Sequence, residues 1–170
     1  TQDSRIKVLS WNVFLRPGIL SDGQMDRVPE ISEYLLNSSA DVLILQEVFH
    51  RKSRRHLISV LSKKYPFHTK RGPVSFWGVP SGVLVFSRHP ILKESSTSFS
   101  KSRSSDRLAK KGVVSIQLQI NDQEVYILGT HLQTGGSEKS LIFQKEQLKT
   151  MESLMREIPF SSIIIYAGDF

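Results

Sequence analysis

The stretch SSIIIYAGDF, residues 161–170, indicates the fold class of this chain. The run from Ile163 to Tyr166 is short, continuous, and β-branched or aromatic, which is typical of a strand covered on both faces. Gly168 and Asp169 follow it, and α/β proteins place their chemistry at the carboxyl ends of such strands, where a glycine allows close approach of the backbone. The stretch therefore predicts a strand in a sheet interior with a functional carboxylate at its end.

Further elements are predicted upstream from the spacing of apolar residues. Alternating or continuous apolar runs predict strands over residues 6–13, 41–46, 82–87, 112–120 and 125–131. Helical spacing predicts a helix over residues 25–37, with Asp22 as its cap. A mixture of strands and helices in this order predicts an α/β layered protein in which helices cover a sheet.

Two more helices and one loop complete the prediction. A basic amphipathic helix follows the second strand, with Leu57, Val60 and Leu61 facing inward. Residues 139–156 form the last helix, whose core-facing residues are predicted to be Leu141, Leu148, Met151 and Met155. The serine-rich segment SSTSFSKSRSS, residues 95–105, is predicted to be a flexible crossing between elements.

Composition limits the class of protein. A chain of 170 residues with 39% hydrophobic and 23% charged residues suits one globular domain. Neither a signal-peptide pattern nor an apolar run near the roughly 18 residues of a membrane span is present. The absence of cysteine excludes disulfides and cysteine-ligated zinc but leaves the redox compartment open.

The net charge of +7 is unevenly distributed along the chain. Ten lysine and arginine residues and no acidic residue lie between Val48 and Glu94. This segment is either an ordinary solvated surface or one that attracts anions, such as a membrane surface or nucleic acid. Phe76 and Trp77 lie in a loop of the same segment, where they either pack beneath the loop, which we favour, or insert at a membrane interface.

Four polar residues occur at or just beyond the carboxyl ends of predicted strands. They are Asn12 in SWNVF, Glu47 in LILQEVF, His131 in ILGTHLQ and Asp169 in YAGDF. An amide, two carboxylates and an imidazole suit phosphodiester chemistry on Mg²⁺, which binds through one or two carboxylates and substrate phosphate oxygens. Glu47 is the natural metal ligand, Asn12 a neutral donor, His131 a proton donor or charge stabiliser, and Asp169 a group that positions attacking water.

Other catalytic schemes have less support in the sequence. His56, His68 and His89 lack the spacing of a zinc protease, and neither a G-x-S-x-G elbow nor a G-x-x-x-x-G-K-[ST] loop is present. The glycine-rich GTHLQTGG does not match the dinucleotide fingerprint. Hydride transfer and phosphate-loop chemistry are therefore disfavoured.

The motifs SWNVF, LQEVF, SGVLVFSRHPI, GTHLQ and GDF, in this order, resemble the endonuclease/exonuclease/phosphatase superfamily. The resemblance implies a four-layer αββα sandwich of the deoxyribonuclease-like type and cleavage of phosphate esters with Mg²⁺, for which Mn²⁺ or Co²⁺ could substitute. It also implies that residues 1–170 are the N-terminal part of a single domain. In the family, GDF continues as GDFN and a histidine general base follows near the C-terminus. We therefore expect these residues alone to be poorly folded or inactive.

Within the superfamily, SDRLAKKGVVSIQL (residues 105–118), GTHLQ and FQKEQLKTM resemble the neutral, bacterial-type sphingomyelinase branch. The resemblance implies that Glu47 binds Mg²⁺, that Asn12 and Asp169 contact phosphate or the attacking water, and that His131 assists at the phosphoryl centre. Asp106 is implied as a substrate-side residue. The implied reaction is hydrolysis of sphingomyelin, a membrane lipid, to ceramide and phosphocholine by a secreted protein.

Two alternatives stay open at the level of the sequence. One is a Mg²⁺-dependent nuclease, for which the basic segment would follow a phosphate backbone of DNA or RNA. The other is a non-catalytic lipid-binding or protein-binding derivative of the fold. Retention of Asn12, Glu47, His131 and Asp169 argues against the second alternative.

Overall fold

The computed structural model describes residues 5–20, 23–70, 82–99, 111–132, 135 and 137–170. Eight strands and three helices lie in these described ranges. In chain order they are β1 (Val8–Leu15), α1 (Gln24–Asn37), β2 (Val42–Val48), α2 (Arg51–Leu61), β3 (Phe67–His68), β4 (Leu84–Ser87), β5 (Ile91–Ser98), β6 (Gly112–Ile120), β7 (Gln123–His131), α3 (Glu138–Arg156) and β8 (Ile163–Asp169).

The strands form two four-stranded sheets. The first sheet has the order β1-β2-β4-β3 and the second the order β5-β6-β7-β8. The pairs β1/β2 and β7/β8 are parallel, and the other pairs are antiparallel. A parallel pair needs a crossover connection, and α1 and α3 provide it for the two parallel pairs. The parallel strands consequently end at one edge of the molecule.

Three apolar clusters separate four structural layers. The first contains residues of α1 and α2 together with β2 and β4, so these helices cover the outer face of the first sheet. The second lies between the sheets and is built from β2, β4, β6 and β7. The third contains residues of β6, β7 and α3, so α3 covers the outer face of the second sheet. The predicted αββα sandwich is confirmed.

The continuous apolar runs of the sequence follow from this layering. In β2, Leu43 and Leu45 pack against the helices, whereas Val42 and Ile44 pack against the second sheet. Both faces of this strand are buried, so its sequence shows no polar alternation. β6 runs over residues 112–120 as predicted, and β2 and β7 lie within two residues of their predicted bounds at each end. β8 extends three residues beyond the predicted run, to Asp169, and the prediction that it lies in a sheet interior is wrong for the described residues, in which it is a partly exposed edge strand.

The predicted core face of α3 is wrong for three of its four residues. Met151 is buried, but Leu141, Leu148 and Met155 are exposed. The buried residues of the helix are Ser140, Gln147 and Met151. The Ser137 side chain caps the helix by accepting from Ser140 N at 3.3 Å. Ser140, Gln147 and Met151 recur at intervals of seven and four residues and therefore lie on one face, which is the face turned to the sheet.

Smaller differences concern local structure. Val60 is only half-buried, and Ile58 packs against the helix-side cluster instead. The predicted loop over residues 95–105 begins in strand β5, which pairs with β6 as far as Ser98. The residue before α1 is Gly23, in a left-handed conformation without a side-chain cap, while Asp22, Phe76 and Trp77 lie outside the described residues.

None of the helices in the described part of the chain is long and apolar enough to cross a membrane. The expectations that residues 1–170 form one incomplete domain, and that they fold poorly alone, stay predictions.

Candidate functional site

In the second sheet, the regular alternation of side chains along the strands places two polar residues in the site. Ile165 and Ala167 of β8 face the inter-sheet cluster, so Asp169, two residues further, projects from the same face. Val125 and Ile127 place His131 of β7 in the same way. The parallel ladder pairs His131 directly with Asp169.

In the first sheet, an interruption of this alternation places Glu47 at the same edge. Leu45 faces the helices, so Glu47 should face them too, yet its side chain lies between the sheets. Glu47 has a left-handed backbone, with φ of 59°. The pairing of β1 with β2 shifts beyond Asn12, as in a β-bulge. The bulge and the left-handed residue together turn Glu47 inward.

Asn12 bridges the two carboxylates. Its Nδ2 donates to Glu47 Oε1 at 3.0 Å and to Asp169 Oδ2 at 2.8 Å. Its Oδ1 accepts from Phe14 N at 3.1 Å. Because a backbone N–H can only donate, that bond fixes the orientation of the amide. Asn12 therefore holds Glu47 and Asp169 in one arrangement, although Asp169 lies 157 positions from Asn12 in the chain.

His131 lies beside both acids and is buried. Its Nε2 is 3.9 Å from Glu47 Oε1 and 3.6 Å from Asp169 Oδ2. The side chain of Asp169 is 38% exposed, whereas that of His131 is 4% exposed. The site thus has an open side at the carboxylates and a closed side at the imidazole.

Lys111 is the residue that the sequence analysis missed. This buried side chain places Nζ 3.2 Å from His131 Nε2 and donates to Leu132 O at 2.5 Å. A protonated lysine can only donate, so with Lys111 charged the His131 Nε2 accepts and the ring proton lies on Nδ1. The only signal in the sequence was the Lys-Gly pair at the start of β6. The structure thus places a cation in contact with the imidazole of His131.

The structure brings Asn12, Glu47, His131 and Asp169 together, and their chemical roles stay predictions. Asp106 lies outside the described residues. No group of three His, Cys, Asp or Glu side chains within the described ranges is arranged to hold a metal ion by itself. Two carboxylates beside an open edge nevertheless fit Mg²⁺, which uses few protein ligands and keeps several waters.

Comparisons with known proteins identify the family of the chain. The model of the Endonuclease/Exonuclease/phosphatase family matches residues 9–170. Sphingomyelinase C from Bacillus cereus is 29% identical over 192 aligned positions, which cover 99% of this chain and 57% of the relative. The chain therefore spans a little over half the length of that relative.

Solved structures show the same similarity. The crystal structure of sphingomyelinase C from Streptomyces griseocarneus has a TM-score of 0.88 and 25% identity, covering 96% of this chain and 63% of that one. A β toxin mutant from Staphylococcus aureus with bound magnesium ions also has a TM-score of 0.88 and 25% identity, covering 96% and 64%. TDP2 from D. rerio, complexed with a single-stranded DNA product, shares the fold at a TM-score of 0.76 and 20% identity, covering 98% and 61%.

Proposed function

Because the chain belongs to the Endonuclease/Exonuclease/phosphatase family, we propose that the protein is a Mg²⁺-dependent phosphodiesterase that hydrolyses sphingomyelin to ceramide and phosphocholine. The observation that carries the proposal is the pair of acids bridged by Asn12 and faced by His131. The two acids offer anionic ligands on one side of the site, and the Lys111 ammonium beside His131 is a proton donor on the other side. A phosphodiester needs both, since its negative charge must be neutralised and its leaving oxygen protonated.

Each residue of the site then has a defined task. Glu47 holds the metal ion, and Asn12 keeps Glu47 and Asp169 at a fixed separation. Asp169, whose side chain is the more exposed of the two acids, orients the attacking water. The chemistry that Mg²⁺ supplies when bound is neutralisation of the phosphate charge.

His131 and Lys111 form the cationic side of the site. The imidazole stabilises negative charge at the phosphoryl centre through the Lys111 ammonium that donates to its Nε2, and its burial keeps water from competing. The Lys111 ammonium lies in contact with the imidazole and adds positive charge where negative charge develops. Mn²⁺ or Co²⁺ in place of Mg²⁺ and an extracellular place of action are further parts of this proposal.

The choice of sphingomyelin rests on the relatives, among which sphingomyelinases recur at 27 to 30% identity.

The test uses the protein at its natural length and measures phosphocholine release from sphingomyelin vesicles with and without Mg²⁺. Glu47→Gln should lower turnover about a thousandfold, because it removes the charge of the metal ligand and keeps its shape. Glu33→Gln, on an exposed position of α1, is the matched control and should leave turnover unchanged.

A nuclease is the second candidate, since the net charge of +7 suits a phosphate backbone and the fold is shared with a DNA-bound structure. The same assay therefore includes abasic and undamaged DNA. Metal-dependent DNA cleavage without phosphocholine release would replace the sphingomyelinase proposal by the nuclease. If neither substrate were turned over, the non-catalytic derivative of the fold would be the better description.

A further inference from the structure

The connection between β1 and α1 exposes apolar side chains next to the site. Ile19 is 75% exposed and Phe14 is 47% exposed, and Leu20 and Met25 are also exposed. Four large apolar side chains thus reach solvent within twelve residues of chain. Singly exposed apolar residues need no explanation, but a group of them marks an interaction site.

A fixed backbone presents these side chains. The buried amide of Gln24 donates to Leu20 O at 2.7 Å, with weaker contacts to Arg16 O at 3.4 Å and Pro17 O at 3.5 Å. Leu20 N donates to Pro17 O at 2.9 Å, which closes a turn. Ile19 therefore projects from a turn that is hydrogen-bonded to the first residue of α1.

Cationic side chains surround the apolar ones. The Arg16 guanidinium lies 4.5 Å from the centre of the Phe14 ring, and that of Arg27 lies 5.9 Å from it. Arg51 and Lys52 are exposed at the start of α2. That helix begins beside this connection, because His50 N donates to Leu15 O at 3.0 Å.

The charges at the start of α2 are unfavourable for the helix itself. The amino end of a helix carries positive partial charge, and within α2, which the structure describes completely, the first turn holds no acidic residue. Asp26 is the acidic residue in the first turn of α1, and Asp22, which lies outside the described residues, is the acidic residue between Leu20 and Met25 in the sequence. An anionic partner would offset the repulsion at Arg51 and Lys52.

We call this region the rim surface. It consists of the apolar residues Phe14, Ile19, Leu20 and Met25 and the cationic residues Arg16, Arg27, Arg51 and Lys52. We propose that the rim surface docks onto a lipid bilayer that contains anionic lipids. The apolar side chains enter the boundary between head groups and acyl chains, and the cations contact anionic head groups.

The combination of side chains favours a bilayer over nucleic acid. Arginine and lysine suit both partners, but exposed isoleucine and leucine gain little from a phosphate backbone, and single strands are bound by aromatic stacking. The rim surface also adjoins the site, because Phe14 N donates to Asn12 Oδ1 at 3.1 Å. Docking would therefore turn the open side of the carboxylates towards lipid head groups.

The inference rests on the proposed function, since bilayer docking serves an enzyme whose substrate is a lipid. Binding is therefore measured on vesicles without sphingomyelin, made of phosphatidylcholine with or without phosphatidylserine, by co-sedimentation of the natural-length protein. Failure of vesicle binding would overturn only the docking proposal. Failure of phosphocholine release, with vesicle binding intact, would overturn only the proposed function.

Two variants test the two components of the rim surface. Ile19→Ser with Leu20→Ser should lower the partition coefficient roughly tenfold on vesicles with phosphatidylserine, because two apolar side chains no longer leave water. Arg51→Gln with Lys52→Gln should lower it roughly fivefold per charge on these vesicles and leave binding to phosphatidylcholine alone unchanged.

The matched control is Leu141→Ser with Ile142→Ser, which removes an exposed Leu-Ile pair from α3. These side chains are 49% and 53% exposed, and the control should bind vesicles like the unaltered protein.

Equal losses for the rim and control pairs would overturn the proposal, as would unchanged binding by the rim variants. Binding to labelled single-stranded DNA that depends on Arg51 and Lys52, without vesicle binding, would also overturn it and identify nucleic acid as the partner. Thermal unfolding midpoints near that of the unaltered protein would exclude misfolding as the cause.

Discussion

The two sheets contribute to the site in different ways. In the second sheet, His131 and Asp169 reach the site by strict alternation and are direct partners in a parallel ladder. In the first sheet, Glu47 reaches it only because its backbone is left-handed and the pairing of β1 with β2 shifts. Regular strand geometry supplies one side of the site, whereas a local irregularity supplies the other.

The irregular side stores strain. A left-handed backbone at a residue that is not glycine costs about 1–2 kcal/mol, and both Glu47 and Phe14 adopt one, with φ of 59° and 51°. Surrounding contacts must hold these residues in place. The bridging amide of Asn12 is one such contact, because it bonds to Glu47 Oε1 and to Phe14 N.

Among the residues that position the site, the largest expected effect comes from removing that bridge. Asn12→Ala should lower kcat/KM about a hundredfold to a thousandfold, because it frees Glu47 from Asp169. Ser10→Ala, two residues earlier on the same face of β1, is the control and should keep activity within about threefold. Equal activity of the Asn12 variant and the control would mean that the irregular side does not depend on the bridge.

A second comparison tests whether Lys111 supports turnover through its charge next to His131 or only stabilises the fold through its bond to a backbone carbonyl. Lys111→Met should lower kcat/KM about tenfold to a hundredfold, because the cation next to His131 is lost. Lys64→Met is the matched control, since its Nζ donates to Leu36 O at 2.7 Å and to Ser38 O at 2.5 Å, away from the site.

Urea unfolding should show a loss of about 1–3 kcal/mol for both lysine variants, because backbone carbonyls lose a donor. Only the Lys111 variant should lose turnover beyond what this destabilisation explains. If Lys64→Met lowered turnover equally, Lys111 would be a structural residue.

The stability of the second sheet, which supplies the regular side of the site, should depend on the close spacing of its strands at glycine. A Cβ at Gly168 would overlap with the backbone oxygen of Thr130, so Gly168→Ala should lower the free energy of unfolding by about 2–3 kcal/mol and displace Asp169. At Gly129 the nearest atom is Ile44 Cγ2 at 2.8 Å, and a side chain can move more easily than a backbone. Gly129→Ala should therefore cost less in urea unfolding, and the reverse order would contradict this account.

The smallest expected effect concerns alkaline pH. Burial raises the pKa of Tyr65 above its ordinary value of 10.0. The folded protein therefore keeps this hydroxyl protonated where the unfolded chain ionises, so the stability is fully present below about pH 10 and falls as pH rises through the raised pKa.

Tyr65→Phe should reduce this alkaline loss and cost about 1 kcal/mol at neutral pH, where the hydroxyl contacts Ala40 O at 3.2 Å. Urea unfolding at neutral pH and above pH 10 provides the measurement. Parallel pH profiles for the variant and the unaltered protein would contradict the assignment.

The sequence predicts the regular parts of the molecule well and the irregular parts poorly. Continuous apolar runs identify the strands β2 and β8, but only β2 is buried on both faces; β8 is partly exposed and lies at the edge of its sheet in the described residues. The same periodicity misplaces the core face of α3, where Ser140 and Gln147 are buried and Leu148 is exposed. Helical spacing identifies an apolar stripe but not whether a sheet covers it.

Similar limits apply to the site. The strand-end positions of His131 and Asp169 follow from alternation, so their proximity is predictable. For Glu47 the sequence predicts a strand end, while the inward direction depends on a backbone angle that local residues do not specify. Lys111 lies in the quoted motif SDRLAKKGVVSIQL but was missed as a site residue, because its contact with His131 arises from the pairing of β6 with β7.

The bond between Asn12 and Asp169 also bears on the order of folding. It joins residues 157 positions apart, and such contacts form late because the loop that they close is long. During synthesis β1 is complete long before β8 emerges, so the acid pair cannot form until both sheets have assembled. Acquisition of metal affinity would then report completion of the sandwich, and a chain stalled before β8 would hold Glu47 without its partner acid.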